Sequence, residues 1–104
     1  MPIDPTYQPF YNRARQLQNQ LHDALGTTEH PTAFAMRQEM QHLVDDLEVR
    51  KNPRDIENRI KTLQRQMLEA RNQGAHLMTY EHTDHFHDSY EQMRQDVRRM
   101  NSYN

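Results

Sequence analysis

Four of the seven histidines fall between positions 76 and 88, in the company of three acids: His76, Glu81, His82, Asp84, His85, His87 and Asp88. Imidazole and carboxylate are the ligand types used for zinc, nickel, copper and non-haem iron. A metal site needs three or more such groups converging on one point. In a helix beginning near Asp84, His85 and His87 lie two residues apart and diverge by roughly 200°. His87 and Glu91 are spaced i,i+4 and can chelate together, while His82 approaches from the loop. The candidate metal ligands are therefore His82, His85, His87 and Glu91, with a divalent transition metal as the cofactor they would take. Several histidines close together also lose charge near neutrality, which makes pH sensing the companion function. Neighbouring acids favour imidazolium and a helix N-terminus disfavours it. The spacing matches no recognised metal motif, and an ordinary solvated loop accounts for the same residues.

Other chemistry is thinner still. Glu39-Met40-Gln41-His42 has the Glu-x-x-His form of di-iron bundles, but Met40 and Leu43 belong to an apolar seam, which turns His42 toward solvent. The absence of cysteine removes disulfides, thiolate sites and thiol nucleophiles. Ser89 and Ser102 lack the glycine-flanked turn of a nucleophile elbow. Two distant glycines build no phosphate-cradling loop, and Asp45-Asp46 points to different helix faces. No catalytic residue and no organic cofactor is expected. The net charge of −2 argues against nucleic acid, although residues 52–74 carry five Lys/Arg against three acids. Arg94, Arg98 and Arg99 are expected to lie over the rim of the fold.

The elements that must position these residues are helical. Phe10, Ala14, Leu17, Leu21 and Ala24 recur at spacings of 4, 3, 4 and 3, a coiled-coil-like seam on one helix face. Met36, Met40, Leu43 and Leu47 make a second seam, widened by Ala33 and Val44. Ile56, Ile60, Leu63, Met67 and Ala70 make a third, and Phe86, Tyr90, Met93, Val97 and Met100 a fourth. On the exposed side of the third seam, Asp55/Arg59 and Glu57/Lys61 are acid-before-base pairs at i,i+4. Pro9 fits a first helical turn, Gly26 a C-terminal cap, Thr32 an N-cap, and Asn52-Pro53 a cap followed by N1. Thr83 or Asp84 would cap the last helix. The pattern predicts an all-α fold: a small antiparallel bundle of three to four amphipathic helices in one domain, residues 1–104. The helices span about 7–25, 32–50, 53–73 and 84–101. Gly74 would end the third, unless Leu77 keeps it in register as far as about Tyr80. β-Branched residues are scarce and no apolar/polar alternation persists, so no strand is predicted.

Only 34% of residues are apolar, and Leu, Ile, Val and Phe supply 17 of 104. Seven methionines partly refill that inventory. A buried Leu or Met contributes roughly 1.5–3 kcal/mol, against about 1.5 kcal/mol to order each residue. So thin a core predicts self-association, with Tyr7, Tyr11 and Tyr103 as interface residues. No apolar run is long enough to span a membrane. Met1–Phe10 holds three prolines and no apolar leader core, so the cytoplasm is the expected location. The functional expectation is a non-enzymatic helical protein–protein interaction or structural accessory module, partnered by a second copy or another helical protein. The alternative is a histidine-rich metal-binding or pH-responsive helical protein.

Overall fold

Helix starts follow from prolines and from side chains able to accept a backbone N–H. The computed structural model describes residues 3–73 and 77–102, and it contains four helices. They are α1 (Gln8–Leu25), α2 (Pro31–Glu48), α3 (Pro53–Asn72) and α4 (Tyr80–Ser102). In α1, Pro9 stands in the first turn, and the Asp4 carbonyl oxygen accepts the N–H groups of Tyr7 and Gln8. Asn52 caps α3, its Oδ1 accepting the Asp55 N–H at 2.9 Å, with Pro53 at N1 as expected.

Two caps differ from expectation. α2 is capped by His30, not Thr32: Pro31 takes N1, so Thr32 becomes the first residue with an N–H to satisfy, and it donates to His30 Nδ1. α4 begins four residues before Asp84, capped by Thr79, whose Oγ1 accepts the His82 N–H at 3.1 Å. Thr83 is buried inside the helix, where its hydroxyl donates to the Tyr80 carbonyl oxygen, and it extends the seam one step back from Phe86. Gly74 and His76 lie outside the described residues. α3 does not run on to Tyr80, because Leu77–Thr79 belong to no helix; Leu77 and Met78 are instead buried in the core.

Among the described residues, two at helix ends have positive φ. Gly26 (φ 60°) stops α1, its N–H returning to the His22 carbonyl oxygen. α2 closes in a Schellman motif: the Lys51 N–H reaches the Asp46 oxygen and the Arg50 N–H the Leu47 oxygen. The position that usually holds glycine is Arg50, at φ 61°.

α1 packs on α2, α2 on α3, and α3 most extensively on α4, while α4 meets α1 only lightly. The four expected seams meet in one core, in which Leu17, Leu21, Met40, Leu43, Leu47, Ile60, Leu63, Met67, Tyr90, Met93 and Val97 are all buried. Met36 and Met78 are buried as well, so methionine supplies much of the missing apolar volume. Polar bridges fix the antiparallel register. Arg59 reaches Glu39 (2.7 Å) and Asp46 (3.1 Å) across the α2–α3 contact rather than Asp55 on its own helix. Gln18 donates to Gln41 (2.9 Å) between α1 and α2. Only Glu57/Lys61, at 3.8 Å, forms among the expected i,i+4 pairs on α3. No described helix is long and apolar enough to cross a membrane.

Candidate functional site

The spacing of the histidines on α4 decides what they can do together. His82, His85, Ser89, Gln92 and Asp96 advance by 3, 4, 3 and 4 and share the flank facing α1. His87, Glu91 and Arg94 advance by 4 and 3 and share the flank facing α3. The hydrogen bonds confirm the split. His85 Nε2 stands 2.9 Å from Gln20 Oε1 of α1, and Arg13 bridges to Asp96 at 3.2 Å further along the same groove. On the other flank, Glu91 accepts from Gln64 of α3 at 2.6 Å.

Because α1 and α4 touch only lightly, the groove between them stays open. One cavity of about 340 Å³ is lined by Gln20, Asp23, Ala24, His82, His85 and Phe86. A neighbouring cavity of about 240 Å³ runs past Arg13, Gln16, Leu17, Gln20, Ser89 and Gln92. Of the four expected metal ligands, then, the fold brings together His82 and His85, and it adds Asp23 and Gln20 from α1.

His87 and Glu91 do not join them. His87 Nδ1 lies 3.7 Å from Asp88 on its own helix. The Glu91 carboxylate is occupied: Arg94 donates to both oxygens, at 2.6 and 3.0 Å, and Gln64 and Gln95 donate as well. The Arg94 guanidinium, followed by the Gln64 amide, holds this carboxyl down at about 2. A carboxylate so engaged is a strut between α3 and α4. Among the described residues, no three of His, Cys, Asp or Glu form a group that could hold a metal ion.

The Glu-x-x-His sequence is likewise spent on structure. Glu39 binds Arg59, and His42 is exposed, as Met40 and Leu43 at the core require. Two of the α4 arginines meet acids of the bundle: Arg94 pairs with Glu91 and Glu57, and Arg99 with Asp96. Tyr7, expected at an interface, is buried, and its hydroxyl donates to the Lys51 carbonyl oxygen at 2.8 Å. Tyr11 is half-buried against the core, and Tyr103 lies outside the described residues.

Sequence reasoning missed the α1 side of the groove. Gln20 and Asp23 flank a seam like any polar helical residues, and nothing in their spacing names α4 as the neighbour. Comparison with known proteins finds no matching family model, no similar curated protein and no similar solved structure.

Proposed function

We propose that this chain is a non-enzymatic helical interaction module that associates with a second copy of itself or with another helical protein. The supporting observation is where the bundle leaves large apolar side chains exposed. Among the described residues these are Phe34 (62% exposed), Val49 (64%), Leu68 (49%) and Tyr80 (49%). One exposed apolar residue is ordinary on any protein. Here three of the four stand at a single end, where α1 and α3 finish and α2 and α4 start. Leu68 precedes Arg71 by one turn, and the Arg71 guanidinium lies 4.8 Å from the centroid of the Tyr80 ring. An aromatic and an arginine beside an aliphatic side chain is the composition favoured in interface cores. The buried seams are consumed by the chain's own core, so among the described residues these outer side chains are the large apolar surface left for a partner.

Sedimentation over a dilution series tests this directly. The wild type is expected to gain mass with concentration in the micromolar range, and Phe34→Glu with Leu68→Glu to remain monomeric. Both substitutions are at exposed positions and should leave the fold within about 0.5 kcal/mol of its stability. A wild type that stays monomeric at every concentration would overturn the self-association part. A melting temperature raised by Zn²⁺ or Ni²⁺, with the gain lost in a His82→Ala/His85→Ala variant, would favour the metal-binding alternative at the α1–α4 groove.

A further inference from the structure

A histidine is an unusual N-cap, because it can accept a backbone N–H only while one ring nitrogen is unprotonated. In α2 that nitrogen is His30 Nδ1, which accepts the Thr32 N–H at 3.1 Å. His30 has the extended backbone of a true cap (φ −61°, ψ 138°), and its carbonyl oxygen accepts the Phe34 N–H at 3.0 Å. Pro31 at N1 has no N–H, so the side-chain bond to Thr32 serves the first donor of the helix. We propose that His30 is a proton-sensitive cap, which holds the first turn of α2 when its imidazole is neutral and releases it when the ring is protonated.

Protonation acts twice in the same direction. It puts a hydrogen on Nδ1, turning the acceptor into a second donor that faces the Thr32 N–H. It also places positive charge at the end of a helix that already carries the positive pole of the macrodipole. α2 has no acid in its first turn to compensate. Histidine is the side chain whose ordinary charge change falls between roughly pH 5 and 8, and the test is set across that window.

Every element contributes titratable or charged groups to this end of the bundle. The connecting loop contributes Glu29, and the last turn of α1 contributes His22 and Asp23. Arg37 of α2 donates to the Gly26 carbonyl oxygen at 3.0 Å and so ties the loop to the second turn. α3 contributes Glu69 and Arg71, which are engaged with Arg65 and Asp84, and α4 contributes His82 and His85. Because the chain carries other histidines at this end, a global acid transition would not identify the cap; a local measurement with His30 replaced does.

The first turn carries Phe34, so its release would also disturb the end at which association is proposed. That consequence rests on the association proposal, whereas the cap itself does not.

The test is amide hydrogen exchange by NMR on dilute full-length protein, read as protection factors for Thr32, Ala33 and Phe34 at about pH 7.5 and about pH 5. In the wild type, protection of this turn is expected to fall roughly five-fold on acidification, the worth of one cap. In His30→Asn, whose amide oxygen caps without titrating, protection should stay level. In His30→Ala it should already be low at the higher pH and change little. A wild-type turn equally protected at both pH values, or a His30→Asn variant that loses protection as the wild type does, would overturn the proposal. Because the readout does not involve a partner, failure to self-associate leaves it intact.

Discussion

Tyr90 sits at the centre of the core, fully buried, with its ring stacked on Phe86 at a centroid distance of 6.2 Å. Its hydroxyl has no hydrogen-bonding partner among the described residues, and burial pushes the phenol well above its ordinary range. A buried polar group without a partner costs about 1–3 kcal/mol, whereas its removal with shape retained is neutral or favourable. Tyr90→Phe is therefore expected to match or exceed the wild type in stability, by up to about 1 kcal/mol, in a denaturant titration. A loss above about 1 kcal/mol would mean that the hydroxyl is bonded after all. Tyr90 also marks what is readable residue by residue. Its place in the seam follows from spacing, because a 4-3 repeat must bury one face of a helix. The fate of a polar residue beside a seam does not follow, because it depends on which helix lies alongside. His85 gained an α1 partner and His82 a place in the groove beside it for that reason, while Glu91 was drawn to Arg94 and Gln64.

The helices themselves were legible almost to their ends, and the shifts at the ends have local causes. Caps were misread where two side chains competed for one role. Thr32 has the better cap chemistry, but Pro31 needs N1, and that forces the cap back onto His30. Thr83 likewise has cap chemistry, yet one turn before Phe86 it is more useful as a buried seam residue, and Thr79 serves instead. The end of α2 was opaque for a different reason: a Schellman turn is normally announced by glycine, and here Arg50 takes the left-handed position. A side chain there costs about 1–2 kcal/mol, partly offset by the flexibility glycine would add to the unfolded chain. Arg50 also bridges to Asp4 at 3.2 Å, an exposed pair that contributes little. Arg50→Gly should thus be more stable than Arg50→Ala by about 1 kcal/mol, since both lose the ion pair and only glycine loses the strain. Equal melting temperatures for the two variants would show that the turn relaxes without cost.

The whole molecule is a bundle closed unevenly, with extents of 41 × 27 × 18 Å. Composition suggested too little apolar material for a stable monomer, but the chain concentrates it: the four stripes share one core, and among the described residues few large apolar side chains remain outside. What no periodicity reveals is the order in which helices surround that core, and hence that α3 and α4 form the most extensive pair while α1 is held mainly by α2. Along the α1–α4 groove, the contacts include the partly exposed Arg13–Asp96 bridge and the His85–Gln20 contact, which in water contribute little. Elements with the fewest buried contacts open first and at the lowest free energy. Native-state hydrogen exchange in low denaturant is accordingly expected to show the amides of Leu17 and Leu21 exchanging through a sub-global opening. Its free energy and its denaturant slope should both lie below those for Leu63 and Met93, which should report global unfolding. The Tyr7 hydroxyl bond to Lys51 anchors the start of α1 to the α2–α3 turn, so Tyr7→Phe should widen that gap by about 1 kcal/mol. If all four helices exchange with one free energy and one slope, the α1–α4 contact is stronger than its geometry implies, and the groove between them is closed in solution.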